Sequence, residues 1–199
     1  MSGSPQLSVV VPVHNEEDNV APLVGEILAA LRGRIDFEIV YVDDASRDAT
    51  LARLRELQAA TPELRVVRHL SNAGQSTAVR NGVKAARAPW IATLDGDGQN
   101  DPADIPDLLA KRDASTPEVK LFAREAFLDL PYFDHMHRYL PALMQRAGWQ
   151  TVSVPVNHRQ RTAGVSKYTN WGRALVGVRD LLGVSWLIAR SKRTQTVEY

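Results

Sequence analysis

Residues 91–102 read IATLDGDGQNDP, an apolar run that breaks into two aspartates one residue apart, then a glutamine and an Asp-Pro pair. The same grammar recurs upstream. LSVVVPV (7–13) runs into HNEE, FEIVYVDD (37–44) into AS, and LRVVRHL (64–70) into SNAG. Continuous β-branched runs of this kind predict strands buried on both faces, and WIATLD (90–95) is the fourth of them. Between the strands lie amphipathic stretches, 15–31, 46–60 and 74–88, that predict helices, the first with acidic residues in its opening turn and the second opened by capping-type residues. Four strands alternating with helices imply right-handed crossovers and a mostly parallel sheet, an α/β fold. In such sheets ligands gather at the carboxyl ends of strands, and here each strand stops in polar residues.

The rest of the chain bounds the reading. Its 199 residues suit one domain of ordinary size, and a formal net charge of +1 gives no footprint for nucleic acid. There is no cysteine, which excludes a disulfide framework and thiolate metal sites and suits a reducing compartment such as the cytoplasm. MSGSPQ has no leader pattern, and no apolar stretch reaches the roughly 18 residues a membrane span requires, so any membrane contact is expected to be peripheral. The second half is less regular: 124–131 and 136–148 read as helices, 150–159 as a strand, and 170–190 as a terminal helix with a broad apolar face. The expected organisation is a domain over 1–170, then an amphipathic helix and tail over 171–199.

Each polar strand end admits a bland and a functional reading. Asp95 and Asp97 can converge on a hard divalent cation if the chain turns at Gly96 and Gly98, with Gln99 adding a neutral oxygen, or they can face water and cap the helix that follows. Asp43 and Asp44 can accept the ring N–H of uracil or guanine, or bond neighbouring backbone. Pro12 lacks an N–H, so β pairing as a central strand is expected to stop there, while Asn15 and Glu16 either cap a helix or hold a ribose. The stretch 71–82, SNAGQSTAVRNG, resembles a phosphate-binding turn but lacks the spacing of a dinucleotide fingerprint or a P-loop. RQRTAGVSKY (159–168) is either a diphosphate clamp of arginine forks and a lysine or a solvated basic loop.

Taken in order, VVVPVHNEEDNV, IVYVDDASRDAT, LSNAGQSTAVRNG, IATLDGDGQNDP, KLFAREAF, LPYFDHMHRYLPAL and RTAGVSKY resemble the family 2 glycosyltransferases of GT-A fold, in the branch of dolichol-phosphate mannosyltransferase and bacterial polyprenyl-phosphate relatives. The resemblance implies that Pro12, Asn15, Glu16, Asp43, Asp44, Asn72 and Asp95 bind a nucleotide-sugar, and that Asp95, Asp97 and Gln99 hold Mn2+ or Mg2+. It places Arg124 and Ser166 at the acceptor phosphate, with Arg161 and Lys167 beside Ser166 on the loop closing over the phosphates. Asp95, Asp97, Arg124, Arg161 and Lys167 are thus its expected catalytic set. The chain departs from the family between the helix after the metal motif and KLFAREAF. There some tens of residues are missing around 113–121, including an acceptor strand resembling D-T-G-x-G, and many relatives carry C-terminal transmembrane helices.

The implied activity is inverting transfer of a sugar from a UDP or GDP carrier to a polyprenyl phosphate at the cytoplasmic membrane face. An already ionised phosphate needs no general base, so none is nominated. Two rivals stand beside it. One is a catalytically impaired nucleotide binder that acts through a partner. The other is a phosphatase of the haloacid dehalogenase type, disfavoured because that family wants Thr or Val where this chain has Gln99.

Overall fold

A computed structural model describes residues 4–110, 121–149, 159 and 170–190. Five strands, β1 (Leu7–Val13), β2 (Phe37–Asp43), β3 (Leu64–Arg68), β4 (Trp90–Thr93) and β5 (Leu121–Ala123), form one sheet in the order β3-β2-β1-β4-β5. The first four are parallel, and β5 is antiparallel to β4, with Ala123 opposite Trp90. This is the expected α/β architecture. The fifth strand is an addition: three residues of LFA carry too little periodicity to read as a strand, and pairing against Trp90–Ala92 decides their conformation.

Alternate residues of the strands enter two cores. Leu7, Val9, Val11, Ile39 and Tyr41 pack with helices α1 (Val20–Leu31) and α2 (Thr50–Ala60), joined by Ile105 and Leu108 of α4 (Ile105–Ala110). Val10, Val40, Val42 and Ile91 pack on the opposite face with α3 (Gln75–Ala85), α5 (Arg124–Leu128) and α6 (Leu140–Arg146). On α3, a Cβ at Gly82 would overlap Val10 Cγ1 and stand 3.0 Å from Val42 Cγ2, so only glycine lets this helix lie so close to the sheet. The chain moves from β1 to β2 to β3 in one direction and returns past β1 to β4. The reversal between β1 and β4 is a topological switch point, where open α/β sheets place ligands.

Several expected boundaries shift for local reasons. The first helix starts at Val20 rather than Asn15 and has no acidic residue in its first turn. Asn15 sits in the left-handed region (φ 58), and the amides of Glu16 and Glu17 are bonded to Thr50 Oγ1 and Asp48 Oδ2, so the acidic stretch is a loop. The second helix likewise starts at Thr50, with Asp48 Oδ1 accepting from Thr50 N at 3.0 Å. In the second half the helical stretches are shorter than expected: a 3-10 turn over Met136–Tyr139 precedes α6, and α5 ends at Leu128. The predicted strand at 150–159 lies outside the described residues except for Arg159.

Pro12 requires a correction. It does not end central pairing, because β1 runs through it to Val13 and Pro12 lies opposite Val42 in β2. The carbonyl of Val10 accepts Leu94 N, and that of Val13 accepts Asp44 N. Even-numbered residues therefore turn their backbone groups toward β4. By residue 12, β4 has already ended opposite Val10, so the proline nitrogen faces a place where no ladder bond is needed.

By contacts the chain divides into two compact units, residues 1–164 and 165–199. The second contains α7 (Asn170–Ala189), on which Val178, Leu181, Leu182, Trp186 and Ile188 are exposed. Among the described residues no helix is long and apolar enough to cross a membrane.

Candidate nucleotide-sugar site

At the carboxyl end of the sheet the loops after β1 and β2 are interlocked. Asn15 N donates to Ser46 Oγ at 2.9 Å, and Arg47 N returns a bond to Asn15 Oδ1 at 2.8 Å. Ala49 N donates to Glu17 Oε2 at 3.1 Å, and Asn19 Nδ2 donates to Glu16 Oε2 at 2.7 Å. Asn15 and Ala45 (φ 56) both occupy the left-handed region, which costs a non-glycine residue on the order of 1 kcal/mol and persists only where surroundings over-determine it. Here those surroundings are the reciprocal bonds.

The paired aspartates at the end of β2 act on backbone. Asp43 is fully buried: one oxygen accepts from Ser46 N at 3.1 Å, and the other has no hydrogen-bond partner among the described residues, with Arg68 Nε 3.8 Å away. Asp44 is the hub of the next loop. Its Oδ1 accepts from Ala73 N at 2.8 Å and meets His69 Nδ1 at 2.7 Å, while Oδ2 accepts from Gly74 N at 2.8 Å. Its carbonyl accepts from His14 Nδ1 at 2.8 Å and Asn72 Nδ2 at 3.2 Å. The far nitrogen of His69 meets Asn81 at 2.9 Å. His14 and His69, two linkers that the sequence does not advertise, thus complete a clasp that brings β1, β2 and the Asn72 loop together.

The stretch Asp95–Gln99, expected to hold a metal, sits at the switch point. A Cβ on Gly96 would overlap Val13 Cγ1 and stand 2.9 Å from the Pro12 carbonyl, so the turn lies flush on the end of β1. Gly98 supplies the left-handed residue (φ 74). Asp95 N donates to Asn100 Oδ1 at 3.1 Å, Gln99 N donates to Asp97 Oδ1 at 3.1 Å, and Gln75 Nε2 donates to Asp95 Oδ1 at 2.8 Å. Asp97 is 9% exposed. The donor set is all oxygen, carried on a turn with no room for a side chain between the two carboxylates, and this suits a hard cation of the Mg2+ or Mn2+ class. Among the described residues no third His, Cys, Asp or Glu joins them, so further coordination would come from outside these carboxylates.

One wall of this end is built by residues 131–139, strapped onto α3. Ser76 Oγ meets His137 Nδ1 at 2.6 Å, Thr77 Oγ1 meets Tyr132 OH at 2.6 Å, and the Arg80 guanidinium stands 4.3 Å over the Tyr132 ring. Burial, aided by the charges of Arg138 and His135 and opposed by Asp134, pushes the His137 imidazole down to about 4, so it is neutral near pH 7.

Two arginines from the later motifs make bonds within the fold. Arg124 follows β5, and its amide donates to the Pro89 carbonyl at the start of β4, the opposite end of the sheet from Asp95. Its guanidinium donates to the carbonyls of Val83 (3.0 Å) and Lys84 (3.1 Å), the last turn of α3, and it is not brought to the metal motif. Arg159, from the basic stretch that reads as either a clamp or a solvated loop, lies beside the Asp95–Gln99 turn: its amide donates to the Gln99 carbonyl at 3.0 Å, and its guanidinium pairs with Glu26 (2.8 Å) and Asp101 (2.6 Å), mooring the turn to α1. Arg161, Ser166 and Lys167 lie outside the described residues.

The family model described as glycosyl transferase family 2 matches residues 8–168. The chain is 30% identical to a dodecaprenyl-phosphate galacturonate synthase of Rhizobium johnstonii, over 94% of this chain and 69% of that protein. It is also 30% identical to an undecaprenyl-phosphate 4-deoxy-4-formamido-L-arabinose transferase of Shewanella sediminis, over 81% and 61% respectively. A dolichol-phosphate mannosyltransferase of Pyrococcus furiosus is 38% identical over 52% of this chain and 29% of its own length. The alignment with the rhizobial protein runs over 239 positions, more than the 199 residues of this chain. In fold, the chain is similar to a mannosyltransferase of Pyrobaculum calidifontis solved with GDP-Man and Mn2+ (TM-score 0.74, 17% identity, 98% of this chain and 67% of that one).

Proposed function

Since the chain belongs to glycosyl transferase family 2, we propose that it moves a sugar from a UDP- or GDP-linked carrier to a polyprenyl phosphate. The observation that carries this reading is the Asp95-Gly96-Asp97 turn pressed onto β1 at the switch point, with Asp95 bonded to Gln75 beside the loop that Asp44 holds. The nucleoside lies against Pro12, Asn15, Glu16 and Asn72, with Asp43 and Asp44 holding the loops that shape its pocket. The diphosphate lies at Asp95 and Asp97, near Gln99. A bound Mn2+ or Mg2+ would neutralise charge on the departing nucleoside diphosphate. Arg161, Ser166 and Lys167, outside the described residues, are the groups that the family resemblance assigns to the phosphates. The acceptor phosphate, already anionic, attacks the anomeric carbon in line and inverts it, with no protein base required. Relatives named for dodecaprenyl- and undecaprenyl-phosphate support this acceptor class.

Membrane contact falls to α7. Its exposed Val178, Leu181, Leu182, Trp186 and Ile188 form an apolar stripe, and exposed Arg179 and Arg190 suit the anionic cytoplasmic leaflet. The test is Mn2+-dependent release of nucleoside diphosphate from UDP- and GDP-sugars in the presence of a short polyprenyl phosphate. Release is expected from one of them and is expected to fall at least about 100-fold in Asp97→Ala, the several kcal/mol that a lost metal ligand costs. No release from either carrier would overturn transfer.

A second reading, nucleotide binding without transfer, is favoured by one observation: Arg124, expected at the acceptor, caps α3 at the far end of the sheet. Calorimetric binding of nucleotide and metal with no turnover on any polyprenyl phosphate would select it.

A further inference from the structure

We infer that Gln75 is a positioning residue for the metal site, a role that rests on the reading of Asp95 as a ligand. Its side-chain amide donates to Asp95 Oδ1 at 2.8 Å, the contact that joins the stretch 71–82 to the metal motif. Gln75 is the first residue of α3, and the turn that presents it is fixed from several sides. Gly74, at φ 84, caps the helix and is held through its amide by Asp44 Oδ2; Ala73 is held through its amide by Asp44 Oδ1 and through its carbonyl by Thr77 Oγ1 at 2.7 Å. Ser76, 1% exposed, is held by His137. A side chain projecting from so constrained a turn spends little entropy in reaching Asp95. Asp95 is held independently through its own amide by Asn100, so the backbone is set by one neighbour and the carboxylate plane by another.

The chemistry of the amide matters. Outer groups that hydrogen-bond a ligating carboxylate fix its orientation, and their loss commonly weakens metal affinity tenfold or more. A neutral amide does this without cancelling the charge the cation needs, which a lysine at the same place would do. The contact also closes a path: Asp44, at the nucleoside end, holds Gly74, whose neighbour Gln75 holds Asp95 at the diphosphate end. The nucleoside and metal halves of the site are thereby joined through two consecutive residues.

The test is a titration of Mn2+ into protein plus UDP or GDP, following the free ion by electron paramagnetic resonance, for the parent, Gln75→Leu and Asp95→Asn. Gln75→Leu is expected to raise the Mn2+ dissociation constant about tenfold. Thermal unfolding and metal-free nucleotide affinity should remain at parental values, since Gln75 is exposed. Asp95→Asn should remove the tight site. Identical Mn2+ curves for Gln75→Leu and a parent that does bind the ion would overturn the positioning role alone. A parent that takes up no Mn2+ with either nucleotide would overturn the metal reading, and the role of Gln75 with it.

Discussion

The two ends of the sheet are built from the same strands and solve opposite problems. At the amino end, Glu38 is enclosed and every bond it makes is local to the fold: Ser8 Oγ at 2.7 Å, Arg87 N at 2.6 Å and Arg65 at 2.8 Å. Ser8 in turn accepts from Ala88 N, and Arg124 closes the last turn of α3 beside it. Among the described residues there the left-handed region is taken only by a glycine, Gly33 (φ 76) in the turn from α1 to β2, where it costs little. At the carboxyl end, Asn15, Ala45, Gly74 and Gly98 all adopt it, and Gly96 tolerates no side chain. Buried charge with a complete set of partners marks the end that only has to stay folded. Strained backbone held by bonds between loops marks the end that has to present groups to a ligand.

That contrast can be broken by substitutions at three positions. Glu38→Ala should have the largest effect on stability, about 3 kcal/mol by urea unfolding, because it leaves Arg65, Ser8 and the Arg87 amide without their shared acceptor. Nucleotide affinity of the folded fraction should not change; if it does, the two ends are coupled and the contrast fails. The parent carries a pH signature of the same network. Burial alone would raise the Glu38 carboxyl, but the bonds from Ser8, Arg87 and Arg65 outweigh it and hold it below its ordinary value. Its contribution is therefore complete above the unfolded pKa of about 4.3 and is lost as pH falls through the lower folded value. Glu38→Gln should remove this part of the acid limb.

Gly96→Ala should cost about 2 kcal/mol, as overpacking a tight site usually does, and should also weaken Mn2+-dependent nucleotide binding by displacing both carboxylates. Calorimetry at matched folded fraction separates the two effects, and unaltered binding would show that the turn does not need its seat on β1. The smallest change is expected from Arg124→Ala, about 1 kcal/mol from two bonds to helix-end carbonyls, with binding of nucleotide and metal untouched. A selective loss of turnover in that variant, at parental stability, would return Arg124 to the acceptor site.

What the sequence made legible follows the same division. Runs such as Val9-Val10-Val11 and Ile39-Val40-Tyr41 are buried on alternating faces whatever surrounds them, so the four parallel strands and their helices could be placed from periodicity. The position of Asp95 and Asp97 at a strand end was legible for the same reason. Pro12 was misread because its effect depends on where β4 stops, which is a property of the neighbouring strand. Glu16 and Glu17 look like a helix start and are a loop because Thr50 and Asp48, more than thirty positions away, take their amides. Gln75 carried no signal, since a glutamine at a helix start is unremarkable until an aspartate twenty residues later is found against it. Arg124 fits a motif by its neighbours in sequence, yet its placement is decided by the antiparallel turn of β5.

The interlock of the first two loops constrains how this chain can vary. Asn15 and Ala45 are each tolerated because bonds arriving from the other strand's loop hold them there, through Ser46 to the Asn15 amide and through Asn15 to the Arg47 amide. A change at one position removes the support of a residue some thirty places away, so the two segments should vary together. Across descendants of this protein, substitutions at 15 and 46 should arise as pairs, and a chimaera that grafts one loop without its counterpart should inherit the torsional cost without the bonds that offset it.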